Sequence, residues 1–152
     1  MAASAEARLR RFLLATAAVV YVGAAVELAL VGHVEGALQL VPFGLVGAGL
    51  AAVLWVRASA SAASVKTLRL VSAVVAAGSL WGIALHVKGN LEFEREVNPD
   101  LSLPDALWEA AQGVSPLLAP GTLALAAVLA AAATWHPTAK ERAPGRGTAV
   151  EV

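Results

Sequence analysis

The chain has 152 residues, of which 59% are hydrophobic and 14% are charged, and its formal net charge at pH 7 is zero. Soluble domains carry about 25% charged residues, so this composition argues against a soluble globular protein, and the zero net charge argues against a nucleic-acid partner. The chain has no cysteine, which excludes disulfides, thiolate metal sites, iron–sulfur clusters and thiol redox chemistry.

Four hydrophobic segments dominate the sequence. Each has about 20 residues, enough for an α-helix to cross a hydrocarbon core of about 30 Å, and a span in lipid must satisfy its own backbone hydrogen bonds. The sequence therefore predicts an all-α integral membrane four-helix bundle. Its spans are expected at about 12–31, 37–56, 70–87 and 116–135, with residues 1–136 forming a single transmembrane domain.

The first segment follows a cluster of basic residues, Arg8, Arg10 and Arg11, which is also how a signal peptide begins. Because the segment has the length of a span and lacks a clean Ala-x-Ala cleavage site before its polar end, a transmembrane helix is the favoured interpretation. A tight turn at 32–36 joins it to the second segment. The first two spans are therefore predicted to form an antiparallel hairpin.

The basic residues predict which side of the membrane each loop faces. With alternating spans, the N-terminus, the 57–69 loop and the C-terminal tail share one side, and every Lys and Arg except Lys88 and Arg95 lies there. This is a strong positive-inside signal, so both termini are predicted to be cytoplasmic. The stretches at 82–98 and 115–121 resemble small bacterial inner-membrane proteins, and this resemblance implies that the multi-pass protein lies in the inner (cytoplasmic) membrane.

The segments outside the spans differ in character. The 57–69 loop is rich in alanine and serine and is predicted to be a linker, whereas 137–152 is rich in proline, glycine and charge and is predicted to be a disordered cytoplasmic tail. The run from Ser102 to Asp105 is typical of a helix start. We expect a short interfacial helix at about 103–112 on the outer bilayer surface, with a plain loop as the alternative.

Glu27 is the only charged residue well inside a predicted span. It lies about 7 Å below the outer end of the first span, at a rise of 1.5 Å per residue. An ionised carboxylate is costly at this depth, so Glu27 should face the protein, be protonated or have a partner. It is the most informative single residue of the sequence.

The third span carries polar residues toward its outer end. Gly82, His86 and Asn90 are four residues apart and share a helix face, and Glu94 lies near the edge of that face if the helix continues. The small residue Gly82 indicates that this face meets another helix. His86 is therefore expected to point into the bundle and not toward lipid.

These observations define a candidate polar site at the outer rim, formed by Glu27, His33, Glu35, His86, Asn90 and Glu94. Neutral imidazole and carboxylate oxygen are ligands for zinc, iron or manganese. One hypothesis is a divalent metal with the candidate ligands Glu27, His33, His86 and Glu94. A b-type haem between His33 and His86 is a less favoured cofactor, and ordinary structural roles for these side chains are the other alternative.

Three functions are compatible with the sequence. The high content of alanine and glycine and the lack of a catalytic motif favour an accessory or interaction protein of a membrane complex, which lies in the lipid bilayer and binds a membrane-protein partner or forms a homo-oligomer. The alternatives are a metal-binding membrane protein or enzyme with an outer-face His/Glu site, and a small oligomeric proton-coupled transporter centred on Glu27. Whether the protein is an enzyme stays open.

Overall fold

The computed structural model of the protein describes residues 4–135, which are all-helical without strands. Three of the helices are long and apolar enough to cross a membrane, which agrees with the predicted helical membrane protein. In chain order the helices are α1 (Ala5–Leu30), α2 (Ala37–Ala58), α3 (Ala62–Val97), α4 (Leu103–Ala111) and α5 (Leu118–Ala132). The predicted disordered tail at 137–152 lies outside the described residues.

The first two helices form where the sequence predicts the first two spans. α1 begins earlier than expected, because the Ser4 hydroxyl accepts a backbone hydrogen bond in the first turn at 3.2 Å, and the basic residues before the span are therefore helical. Gly32 and Gly36 in the connecting turn have φ angles of 64° and 117°. This left-handed conformation favours glycine, and it lets the chain reverse so that α1 packs against α2.

The prediction of a linker at 57–69 is wrong, because α3 begins at Ala62. Ser61 and Ser64 form a capping box in which the Ser61 hydroxyl accepts from the Ser64 N–H at 3.2 Å and the Ser64 hydroxyl accepts from the Ser61 N–H at 3.0 Å. α3 has 36 residues, which corresponds to about 54 Å. It is therefore longer than the predicted span at 70–87 and longer than a hydrocarbon core of about 30 Å.

The last two helices differ in how well they match the prediction. α4 agrees with the short helix expected at 103–112, and the Ser102 hydroxyl accepts the Asp105 N–H as its cap. α5 has only 15 residues within the predicted span 116–135, or about 22 Å. The described chain thus has three full-length candidate spans and one shorter apolar helix.

The buried core occupies one half of the molecule. α1 and α3 each pack against α2 and α5, whereas α2 and α5 make few contacts with each other. Tyr21, Val53 and Val75 lie in this core and are 0% exposed. We call this half, which also holds the N-terminus of α1, the inner half, and the half that holds α4 the outer half. The names follow the predicted orientation of the chain.

The outward-facing surface of the long helices is apolar. Val19, Leu80 and Val128 are 70%, 65% and 59% exposed, respectively, and many other large aliphatic side chains are also exposed. Exposing such an apolar surface to water is unfavourable, whereas exposing it to lipid is not. The exposed side chains therefore agree with a protein that contacts the hydrocarbon core of a membrane.

Candidate functional site

The outer ends of α1, α2, α3 and α5 surround a cavity of about 460 Å³. It lies on the outer side of the buried core, and most of its wall is aliphatic side chains, proline and glycine. The polar side chains that line it are Glu27 from α1, His33 from the 31–36 turn, Gln39 from α2, Ser79 and His86 from α3, and Ser115 from the connection before α5. Three of the six predicted site residues therefore come together at one cavity.

Glu27 lines this cavity in the last turn of α1. Its side chain is exposed, so the carboxylate is accessible at the cavity. Within residues 4–135, the Glu27 carboxylate has no hydrogen-bond or ion-pair partner. The lining contains no Lys or Arg, so no basic side chain other than histidine lies beside this carboxylate in the cavity.

His86 is held by the segment that leads into α5. Its Nδ1 atom lies 3.1 Å from the carbonyl oxygen of Pro116. Because a carbonyl oxygen can only accept, Nδ1 carries the hydrogen, and Nε2 of the neutral ring is left as an acceptor. Pro120 has no N–H with which to bond the carbonyl four residues before it. The Pro116 carbonyl is therefore available to the imidazole.

His33 is half-buried in the turn between α1 and α2 and lines the cavity. The backbone N–H of His33 donates to the Leu28 carbonyl at 3.0 Å, which continues the hydrogen bonding of α1 into the turn. The Glu35 N–H donates to Gln39 Oε1 at 2.8 Å, so the Gln39 side chain keeps its amide N–H groups as donors. Glu35, a predicted site residue, is exposed and does not line the cavity.

Gly82, His86 and Asn90 lie on one face of α3, and this face contacts α5 and the segment before it. A Cβ atom on Gly82 would lie 3.2 Å from Cβ of Pro120, so the absence of a side chain allows α3 and α5 to approach closely. His86 contacts Pro116 one turn further along α3. Gly82 therefore faces α5, whereas His86 and Asn90 face the chain that precedes α5.

Asn90 belongs to that face but not to the cavity. It is 4% exposed, and its amide nitrogen donates to the carbonyl oxygens of Ala110 and Ser115, both at 2.9 Å. Its amide oxygen accepts from the Ser115 N–H at 3.0 Å. Both polar atoms of the side chain are thus used to hold the outer segment, which gives Asn90 a structural role.

Glu94 also lies outside the cavity lining. The Lys88–Glu92 ion pair on the same helix is 3.3 Å long, and its side chains are 69% and 62% exposed, so it contributes little to stability. In the described part of the chain, no group of three or more His, Cys, Asp or Glu residues is placed to hold a metal ion. The divalent-metal and haem hypotheses stay predictions from the sequence.

Three polar lining residues, Gln39, Ser79 and Ser115, were missed in the sequence. The Ser79 side chain is 2% exposed and its hydroxyl donates to the Val75 carbonyl at 2.8 Å, which leaves the Ser79 oxygen as an acceptor. A serine that bonds its own helix gives little functional signal. The sequence could have indicated Ser79 only through its spacing, because positions 79, 82 and 86 lie on one helix face.

No known protein family, curated protein or solved structure matches the chain. The function is therefore inferred from the cavity and the polar groups around it. These groups are suited to recognising a small molecule by charge and hydrogen bonding, beside a largely apolar wall.

Proposed function

We propose that the protein is a multi-pass inner-membrane protein in which α1, α2, α3 and the 116–135 segment form a four-span bundle with both termini cytoplasmic. The exposed apolar surface and three span-length helices support membrane insertion. α5 is short, but it packs against α1 and α3, and a bilayer adapts to a short span by local thinning. The distribution of basic residues supports the orientation.

We infer that the outer cavity binds a small amphipathic molecule. The observation that carries this inference is the position of Glu27 and His86, which come from different helices and line one cavity of about 460 Å³. Small-molecule sites commonly measure about 300–1,000 Å³ and combine an apolar wall with a few polar groups. A ligand with an apolar body and a polar head matches this lining.

The contrast between Glu27 and Asn90 supports a binding role for Glu27. Structural polar residues in proteins usually have their hydrogen bonds satisfied, and Asn90 follows this rule with partners for both of its polar atoms. Glu27 has no such partner within residues 4–135, although a carboxylate near the membrane core is costly. A ligand that contacts Glu27 would remove this cost.

The core on the inner side of the cavity favours binding over transport through a single chain. Tyr21, Val53 and Val75 are 0% exposed, so close packing separates the cavity from the inner end of the molecule. A proton-coupled transporter centred on Glu27 would need a second conformation or an oligomer. Proton flux into liposomes that is lost in Glu27→Gln would favour transport.

The binding function can be tested by filling the cavity. Ala119 lines the cavity on α5, whereas Ala132 is exposed on the same helix, so Ala119→Phe and Ala132→Phe are a matched pair. The small molecules that co-purify with each variant would be extracted and measured by mass spectrometry. We expect one class of molecule at near-stoichiometric amount in the wild type and Ala132→Phe, and its loss from Ala119→Phe. Equal content in all three would contradict the proposal.

An interaction protein is the second candidate function, because the outer half carries exposed apolar side chains beyond the predicted third span. Phe93, Val97, Leu103 and Trp108 are 51%, 57%, 53% and 67% exposed, respectively. A photo-crosslinking amino acid at Trp108 in native membranes would test this candidate. It predicts one defined protein adduct that disappears with Leu103→Ser; lipid adducts alone would count against it.

A further inference from the structure

The polar groups of the cavity are mainly hydrogen-bond acceptors. His86 presents Nε2 as an acceptor because its Nδ1 hydrogen is used by Pro116. The Ser79 hydroxyl hydrogen is used by the Val75 carbonyl, so its oxygen is also an acceptor. An ionised carboxylate at Glu27 only accepts. The Gln39 amide N–H groups are the contrasting donors among these side chains.

The charged side chains of the cavity, like its hydrogen-bond acceptors, favour a ligand that donates hydrogen bonds and carries positive charge. Among the residues that line the cavity there is one carboxylate and no Lys or Arg. The charged salt-bridge partner that a carboxylate favours in an apolar setting is therefore not supplied by the lining. A cationic ligand would supply it.

We propose that the cavity binds a protonated amine carried on an apolar body, with Glu27 as its counter-ion and His86 Nε2 as a hydrogen-bond acceptor. This proposal rests on the ligand-binding function proposed above and names the class of ligand. An ammonium group has N–H donors for both acceptors, and charge-assisted hydrogen bonds of this kind are the strong ones. A quaternary ammonium has no N–H to donate and fits the acceptors less well.

The apolar part of the ligand is matched by the rest of the wall. Leu28, Leu45 and Leu123 come from three different helices and line the cavity. An amine with an aliphatic or aromatic body removes these side chains from water, at about 25 cal/mol per Å² of apolar surface. The same chemistry occurs in a free lipophilic amine and in the ammonium headgroup of phosphatidylethanolamine, and the experiment separates these two sources.

The test is direct binding of tritiated phenethylamine to the full-length protein in phosphatidylcholine nanodiscs, with empty nanodiscs as the blank. We expect saturable binding at one site per chain that unlabelled phenethylamine displaces. The neutral isostere 2-phenylethanol should displace it poorly, and so should the N,N,N-trimethyl derivative. If nanodiscs that contain phosphatidylethanolamine show weaker amine binding, the lipid headgroup is a ligand; unchanged binding identifies a free amine as the source.

Substitutions at the carboxylate supply the decisive comparison. Glu27→Gln should weaken amine binding about tenfold or more, because it removes a charged hydrogen-bond partner. Glu35→Gln removes a carboxylate from the adjacent turn that does not line the cavity, and it should bind like the wild type. Glu27→Asp keeps the charge and should retain part of the affinity. The Asp variant keeps the test valid if the Gln variant does not fold, and circular dichroism checks the fold of all three variants.

Different failures of the test have different meanings. Equal amine binding by the wild type and Glu27→Gln, or equal displacement by the alcohol, would overturn the amine proposal. No saturable amine binding would also overturn it, while loss of the co-purified molecule from Ala119→Phe would leave the cavity as the binding site of another ligand class. If neither amine binding nor an effect of Ala119→Phe is observed, both proposals fall.

Discussion

Asn90 and Ser115 exchange two hydrogen bonds. The Asn90 amide nitrogen donates to the Ser115 carbonyl at 2.9 Å, and the Ser115 N–H donates to the Asn90 amide oxygen at 3.0 Å. The side chain thereby holds the connection between α4 and α5 against α3, next to the Pro116 carbonyl that accepts from His86. Asn90 therefore supports one wall of the cavity without lining it.

Asn90→Ala should loosen the outer segment. The substitution leaves the Ser115 N–H and the Ala110 and Ser115 carbonyls without their side-chain partner, at a cost of about 1–3 kcal/mol per buried unsatisfied group. We expect amide hydrogen exchange at 103–115 to become about 10- to 100-fold faster, while exchange in α1 stays unchanged. Asn98→Ala, at the exposed C-cap position just after the same helix, is the control. Unchanged exchange in Asn90→Ala would show that packing alone holds the segment.

Gly49→Ala should destabilise the contact between α1 and α2. A Cβ atom at Gly49 would clash with the Tyr21 ring, and Tyr21 is 0% exposed in the core. Overpacking of this kind costs about 1–3 kcal/mol, measured as a lower unfolding midpoint in detergent. Gly47→Ala, with no heavy atom within 4 Å of the added Cβ, is the control. In the Tyr21→Leu background, Gly49→Ala should lower the unfolding midpoint less than it does in the wild type. An equal decrease in both backgrounds would argue against direct contact between the two positions.

Arg69→Met should destabilise the inner end of α5. The guanidinium donates from Nε to the Thr134 hydroxyl at 3.2 Å and from a terminal nitrogen to the Thr134 carbonyl, and it places a positive charge near the C-terminus of the helix. We expect a loss of about 1–2 kcal/mol in the free energy of unfolding. Lys66→Met on the same helix is the control, and an equal loss in both variants would refute a specific role for Arg69.

The parts of the fold that local chemistry determines were predictable. The Ser102 cap marks the start of α4, and the four-residue spacing of His86 and Asn90 indicates their common face. The start of α3 was mistaken for a linker because Ser61 and Ser64 act as helix caps through reciprocal bonds that composition does not reveal. The role of Asn90 depends on Ser115, 25 positions away, and such partners are known only after folding.

The proposed orientation can be tested with single cysteines, since the natural chain has none. Ser59→Cys lies between α2 and α3, and Asp100→Cys lies between α3 and α4. A membrane-impermeant maleimide should label only Asp100→Cys in intact cells, because alternating spans and the positive-inside signal place it outside. Both variants should be labelled after permeabilisation. Labelling of Ser59→Cys alone in intact cells would show that the orientation is opposite to the one proposed.

Photoaffinity mapping with a diazirine derivative of phenethylamine tests the claim that the outer cavity binds a ligand. After irradiation, peptide mass spectrometry would locate the labelled residues. We predict labels on the lining residues Leu28, Val114 and Leu123, reduced by excess unlabelled amine and by Ala119→Phe. Labels spread over the exposed residues Val19 and Val128, with no reduction by excess amine, would contradict the claim.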